Sequence, residues 1–223
     1  MMRMALIVTV LLLGAATAPA VSADEITTYG IGLKSCRDYL EIRTEDNTVD
    51  QVVFIDWLSG YFSAVNKTSH HRNNFLGLGD LRDALSRIDD YCRARPLAPF
   101  AEAAAVMAFG ARTGPAAHSI DASTYGSADK SCREYLAARE EQDPIDGAEF
   151  RDWLGGYLSG VNAISLDTND VLGHTAMLDA VRWLDDWCSV HPVTSFGGAV
   201  DALVAVHRQQ TLSRTAAVQL STR

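Results

Sequence analysis

Apolar side chains recur along two stretches of the chain at the three- and four-residue spacing of an amphipathic helix. Each stretch places large apolar residues on one helical face: Val53, Trp57, Tyr61 and Val65 in the first, and Phe150, Trp153, Tyr157 and Val161 in the second. No segment alternates apolar and polar residues as a half-buried strand does. The pattern therefore predicts an all-α protein.

The chain matches itself without a gap at an offset of 96 residues. The matched segments include 28–30 with 124–126, 34–37 with 130–133, 56–58 with 152–154, and 60–61 with 156–157. Each copy is long enough for a small core of its own, which favours two tandem domains over a stacked array. We predict a first helical repeat at 28–112, a linker at 113–123, a second helical repeat at 124–210 and a flexible tail at 211–223.

Each repeat is expected to contain four helices. The first begins at Ser35, where Asp38 completes a capping-box pattern, and Ser131 with Glu134 restores that pattern in the second repeat. The second helix is expected to begin near residue 50 or 146. The third and fourth are expected at 80–93 and 99–111, and in the second repeat at 176–189 and 195–209.

The N-terminal residues 1–23 are typical of a signal peptide. Arg3 precedes an apolar run from Ala5 to Leu13, and Val21-Ser22-Ala23 fits a signal-peptidase site. The run is too short for an ordinary membrane span, and no other stretch of the sequence is long enough. We therefore expect a bacterial chain exported by the Sec route, periplasmic or secreted, with no stable membrane anchor after cleavage.

The four cysteines allow three disulfide connectivities. One cysteine lies at the start of the first helix of each repeat and another at the end of the third, so the internal symmetry favours Cys36 with Cys92 and Cys132 with Cys188. A structural zinc site made of four thiolates is the alternative, but no closely spaced pair of cysteines is present to chelate a metal. The absence of a Cys-x-x-Cys motif favours structural bridges over catalytic ones.

The charge of the mature chain narrows the choice of partner. Without residues 1–23 it has eighteen Lys and Arg against twenty-eight Asp and Glu. Nucleic acid and anionic membranes are therefore poor partners.

A repeated Trp-x-x-Gly-Tyr-x-x-x-x-Asn motif is the most distinctive local pattern. Its members are Trp57, Gly60, Tyr61 and Asn66, and then Trp153, Gly156, Tyr157 and Asn162. An aromatic pair beside an amide could grip a ligand, but the spacing favours packing. The small residues four apart, Gly60 with Ala64 and Gly156 with Gly160, would let another helix approach closely. We expect the asparagine to cap or bridge the end of its helix.

The sequence signals for catalytic or metal-binding residues are weak in both repeats. Asp89 and Asp90, like Asp185 and Asp186, are neighbours that point about 100° apart on a helix, so we expect solvated faces. The segment 167–170 resembles a calcium loop, but its glycine is one residue late. The histidines share no repeat position, and no nucleophile motif is present. We therefore expect no catalytic residue, no metal and no cofactor.

The two repeats differ most in the loop after the second helix. His70, His71 and Arg72 make the first loop basic, whereas Asp167 and Asp170 make the second acidic. Neutral drift explains this difference, but these loops are also candidate contacts for a partner.

The chain resembles two groups of bacterial periplasmic proteins. The resemblance rests on a Ser-Cys-Arg-Asp-Tyr-Leu start, a Trp-Leu-x-Gly-Tyr helix and a Tyr-Cys-x-x-x-Pro segment before an Ala-rich helix. One group is the HdeA/HdeB acid-stress chaperone family, and the other is the immunity proteins that neutralise type VI secretion amidase toxins. The resemblance carries these positions: Cys36, Tyr39, Leu40, Trp57, Gly60, Tyr61, Cys92 and Pro96, with Cys132, Tyr135, Leu136, Trp153, Gly156, Tyr157, Cys188 and Pro192.

The resemblance and the lack of catalytic motifs lead to the same expectation. We expect a non-enzymatic protein that binds or inhibits another periplasmic protein, as an immunity protein does. The alternative is an acid-stress chaperone like HdeA, and a small hydrolase comes third. The tandem arrangement departs from the single-domain chaperones.

Overall fold

The computed structural model describes residues 25–44, 48–68, 74, 76, 81–110, 124–141 and 146–221. The expected signal peptide and linker lie outside these ranges. The first repeat contains a 3-10 helix, Gly30–Leu33, followed by α1 (Cys36–Thr44), α2 (Thr48–Thr68), α3 (Leu81–Ala94) and α4 (Phe100–Gly110). The second contains a 3-10 helix, Gly126–Asp129, followed by α5 (Cys132–Glu140), α6 (Asp146–Ile164), α7 (Met177–Val190) and α8 (Phe196–Ser221). No β-strand occurs in these ranges, which confirms the prediction of an all-α fold.

Reciprocal side-chain bonds fix the start of α1 and α5. Ser35 Oγ accepts the amide of Asp38 at 3.2 Å, and the Asp38 carboxylate accepts the amide of Ser35 at 2.9 Å. Ser131 and Glu134 form the same capping box at α5. Each box satisfies two amide groups that have no partner inside the helix.

The last helix is longer than the sequence pattern suggested. α8 continues to Ser221, through most of the segment that we predicted as a flexible tail. The sequence after Gly198 contains neither glycine nor proline, so no residue there breaks the helix.

Both disulfides predicted from the repeat symmetry are present. Cys36 is bonded to Cys92 and Cys132 to Cys188, with Cα atoms 4.8 and 5.0 Å apart. Each bridge ties the start of the first helix of a repeat to the end of its third. The two bridges indicate an oxidising, extracytoplasmic compartment. None of the described helices has the length and apolar content needed to cross a bilayer.

Each repeat has a core built around the same three rings. Ring centroids lie 4.8–5.3 Å apart within each cluster, and the rings are those of Tyr39, Phe54 and Phe100 in the first repeat and Tyr135, Phe150 and Phe196 in the second. Edge-on and tilted contacts at this distance stabilise beyond the area that they bury.

The two repeats pack directly on each other. The most extensive contact between any two described elements is that of α2 with α6, which we call the seam. Ala64 of the first repeat belongs to the buried cluster of the second, while Tyr125 of the second packs against the cluster of the first. The sequence left open whether the repeats touch, and the structure shows that they share an interface.

Candidate protein-binding surface

The aromatic residues of the repeated motif lie in the interior. Trp57 stacks on Tyr61 and Trp153 on Tyr157, with ring centroids 5.3 and 4.9 Å apart. All four side chains are buried. Rings that solvent does not reach cannot grip a ligand from solution, so this geometry favours packing for the motif.

The motif glycines bring the backbones of the seam into contact. A Cβ on Gly60 would lie 2.0 Å from the carbonyl oxygen of Trp153, and one on Gly156 would lie 1.8 Å from that of Trp57. A Cβ on Gly160 would lie 2.7 Å from the carbonyl oxygen of Tyr61. The contacts advance together along both helices, so α2 and α6 run in the same direction.

Two Thr-Tyr-Gly segments, residues 28–30 and 124–126, fasten the repeats together, and we call them the arms. The carbonyl of Tyr29 accepts a hydrogen bond from Trp57 Nε1 at 2.8 Å, and its amide donates to Ser159 Oγ of α6 at 2.8 Å. The arm is thus held by a tryptophan of its own repeat and a serine of the other. The same two bonds recur at Tyr125, from Trp153 Nε1 at 2.7 Å and to Ser63 Oγ at 2.9 Å.

The motif asparagines bridge the ends of the seam helices to other segments. Asn162 donates to the carbonyl of Thr27 and accepts the amide of Val171, each at 2.8 Å. Asn66 donates to the Tyr125 hydroxyl at 3.4 Å. Asn66 therefore links α2 to the arm of the second repeat, and Asn162 links α6 to Thr27, the residue before the arm of the first repeat.

The aspartates of the acidic loop, Asp167 and Asp170, interact with other residues of the same chain. The Tyr29 hydroxyl donates to Asp170, which also accepts the amide of Gly173 at 3.2 Å. Burial, followed by the bond to Asp170, raises the pKa of Tyr29. Asp167 lies 4.0 Å from Arg208 on α8. Asp170 is thus a weak candidate for a partner contact, whereas the side chain of Asp167 is 53% exposed, and the basic-loop candidates, His70, His71 and Arg72, lie outside the described residues.

The expectation that the paired aspartates form solvated faces is wrong for one member of each pair. Asp89 accepts the Tyr39 hydroxyl at 2.6 Å and pairs with Arg43 at 3.3 Å. Asp90, the next residue, points outwards and is 76% exposed. The 100° turn between neighbours places one carboxylate against the core and the other in solvent. Asp185 repeats the inner arrangement, with Tyr135 at 2.6 Å and Arg139 at 2.9 Å.

A row of stacked rings lies along the outer side of α7, and we call it the aromatic row: Trp183, Trp187 and His191. Ring centroids are 6.3 Å apart between the two tryptophans and 4.0 Å apart between Trp187 and His191. The tryptophans are half-buried and the histidine is exposed. Both indoles also pack against the buried cluster of the second repeat, and the part of each ring that stays in solvent forms an apolar surface of the kind that marks interaction sites.

Exposed apolar residues and charges of both signs lie near the aromatic row in sequence, and the exposed Arg182 is four residues before Asp186 on α7. Val190 and Val193 are 71% and 83% exposed, and the exposed Asp186 lies on the same helix. The apolar stripe of α7, formed by Met177, Val181 and Leu184, faces the core of the second repeat, and the sequence pattern gave no role to the tryptophans beside it. The four-residue spacing of Trp183 and Trp187, one residue away from that stripe, was the available signal.

The first repeat presents different chemistry at the equivalent positions. Arg87, Tyr91 and Arg95 replace the aromatic row on α3, and the Arg95 guanidinium lies 4.8 Å from the centre of the Tyr91 ring. The row is thus a feature of one repeat. Among the residues that the structure describes, no three His, Cys, Asp or Glu side chains are grouped to hold a metal ion.

The comparisons with known proteins supply no relative for this chain: no family model, no curated protein and no solved structure matches it.

Proposed function

We propose that this chain is a non-enzymatic periplasmic protein that binds another periplasmic protein through the aromatic row of α7 and inhibits it, as an immunity protein does. The partly buried, stacked pair Trp183 and Trp187 is the observation that carries the proposal. Tryptophan is enriched among the residues that dominate the energy of protein interfaces.

The helix that carries the row is held rigidly. Ala180, Leu184 and Cys188 of α7 are buried against the core of the second repeat, and the disulfide from Cys188 ties α7 to α5. The indole rings are held against each other and against His191 before any partner arrives. Less conformational entropy is then lost on binding, which favours affinity.

The charge of the chain indicates the chemistry of the partner. The net negative charge of the mature chain favours a partner with an apolar centre and a basic rim. The same charge disfavours nucleic acid. The signal-like N-terminus and the disulfides support a periplasmic location, and the resemblance to periplasmic immunity proteins agrees with it.

Affinity capture from the native periplasm tests the proposal. The mature protein is immobilised at pH 7 beside the variants Trp183→Ala and Trp187→Ala, and bound proteins are identified by mass. Leu178→Ala is the matched control, because Leu178 is exposed on the same helix outside the row. We expect each tryptophan variant to weaken binding of the captured protein at least tenfold, and the control to bind normally.

Circular dichroism of each variant separates lost binding from lost folding. Capture of the same protein, with unchanged affinity, by folded Trp183→Ala and Trp187→Ala would contradict the assignment of the row as the binding surface. An inhibitory role further requires that the captured protein lose its activity when the complex forms.

A further inference from the structure

Two equivalent aspartates occupy the seam, and neither the packing nor the aromatic row gives them a role. Asp56 and Asp152 each precede a seam tryptophan in the repeated motif. Asp152 is buried, with 9% of its surface exposed, and Asp56 is half-buried. The Oδ2 atom of each is buried and has no hydrogen-bond partner among the described residues. An ionised carboxylate is costly to bury in this way.

The charges that face Asp56 are mostly of its own sign. Glu149 and Asp152 on α6 repel its ionised form, and Lys130, next to the second 3-10 helix, attracts it. Lys130 already forms an ion pair with Glu149. The charge of the lysine is therefore shared, and among the described residues Asp56 has no counterion of its own.

A single cation also favours the ionised form of Asp152. Arg151, on the same helix, is the charged group that favours its ionised form. Lys34, the equivalent of Lys130 in the first repeat, is exposed, and the uncharged Val53 occupies the position equivalent to Glu149. In the part of the chain that the structure describes, no ion pair like that between Lys130 and Glu149 lies at the Asp152 side of the seam.

The protonation of both groups follows from this environment. Burial, and then the charges of Glu149 and Asp152, raise the pKa of Asp56 to about 7 against the opposing effect of Lys130. Burial raises the pKa of Asp152 to about 6, and Arg151 opposes this. An unperturbed aspartate titrates near pH 3.9.

We propose that Asp56 and Asp152 act as a proton-operated clasp on the seam, which tightens when both carboxyls are protonated and loosens when both are ionised. Both pKa values are higher in the folded chain than in the unfolded one, so folding takes up protons. The stabilisation is fully present below about pH 4 and is lost as the pH rises through 6 and 7.

If ionisation of Asp56 and Asp152 loosened the contact between α2 and α6, the hydrogen bonds of the arms would change as well. Trp57 and Trp153 directly follow the two aspartates and hold the arm carbonyls of Tyr29 and Tyr125. A shift of either seam helix would therefore alter the bonds that fasten one repeat to the other. The clasp would couple the union of the repeats to the pH of the compartment, whatever protein the aromatic row binds.

The double variant Asp56→Asn, Asp152→Asn tests the clasp in the full disulfide-bonded chain. Asparagine keeps the shape of aspartate and cannot ionise. We expect the melting temperature of the wild type to rise by roughly 5–10 °C from pH 8 to pH 5, and that of the variant to change much less. The variant should also melt above the wild type at pH 8. Asp90→Asn is the control, since its side chain is 76% exposed, and it should keep the slope of the wild type.

If the variant does not fold, carbon NMR of the wild-type protein can measure the pKa values of its aspartate carboxyls directly. Two carboxyls that titrate between about pH 6 and 7, and return to ordinary values on unfolding, would support the clasp. Parallel melting profiles for the wild type and a folded variant, or aspartates that all titrate below about pH 5, would overturn it.

Discussion

Two adjacent glycines of α6 offer a sharp test of the seam, because the structure assigns them opposite tolerance to a methyl group. A Cβ on Gly156 would lie 1.8 Å from the carbonyl oxygen of Trp57, which is main chain and cannot rotate away. A Cβ on Gly155 would meet its nearest atom, the carbonyl oxygen of Tyr29, at 3.5 Å. Gly156→Ala should therefore force α2 and α6 apart, and Gly155→Ala should be accommodated.

The expected magnitudes follow from two terms. Alanine is preferred over glycine inside a helix by about 1 kcal/mol, and both variants gain this amount. Overpacking of a close interface costs about 1–3 kcal/mol, and contact with the main chain of Trp57 on α2 places Gly156→Ala at the upper end. We expect Gly156→Ala to lose about 2 kcal/mol of unfolding free energy, and Gly155→Ala to gain up to about 1 kcal/mol.

Urea unfolding of the disulfide-bonded chain, followed by tryptophan fluorescence, measures both changes on one protein. The shared helix makes Gly155→Ala a matched control for helix propensity, so the difference between the variants reports the seam. Equal stabilisation by the two substitutions would refute the close approach of α2 and α6. Gly60→Ala should behave like Gly156→Ala, because its Cβ would lie 2.0 Å from the carbonyl oxygen of Trp153.

Two further predictions concern the buried tryptophans and the response to strong acid. Trp57→Ala and Trp153→Ala should each lower the unfolding free energy by about 3–5 kcal/mol, measured by thermal melts, and an unchanged melting temperature would favour the ligand-binding interpretation of the motif. At pH 2–3 the mature chain would carry eighteen Lys and Arg and six His as cations with its acids protonated, so self-repulsion should loosen the helices. We expect no general protection of an acid-denatured client in light scattering, and strong protection at equimolar protein would favour the chaperone alternative.

The helices and disulfides could be predicted because local signals specify them. Ser35 with Asp38 marks a helix start by side-chain chemistry that acts over three residues, and the structure contains that capping box. The cysteine pairing followed from the repeat, because only one of the three connectivities closes an equivalent loop inside each repeat. Such signals need no knowledge of how distant segments meet.

The seam and the candidate surface depend on distant contacts and were harder to predict. The small residues of α2 indicated that some helix approaches, but the spacing did not identify α6 as that helix. The environments of Asp89 and Trp183 could not be predicted for the same reason. Helical periodicity divides a helix into two faces, but it does not show which segment packs against each face. The burial of Asp56 also depends on a helix about ninety residues away in sequence.

Because the two repeats belong to one chain, their outer surfaces can differ in sequence. Across the seam, however, equivalent residues of the two repeats still make equivalent contacts. Gly60 meets the Trp153 carbonyl as Gly156 meets the Trp57 carbonyl, so the centre of the seam treats both repeats alike. A dimer of identical chains would repeat every surface residue, whereas a tandem chain can change one copy alone. The tryptophans of α7 have no counterpart on α3, which carries Arg87 and Tyr91 there. A surface that differs between the repeats presents one aromatic row per molecule, and a partner that recognises it would therefore bind this chain once.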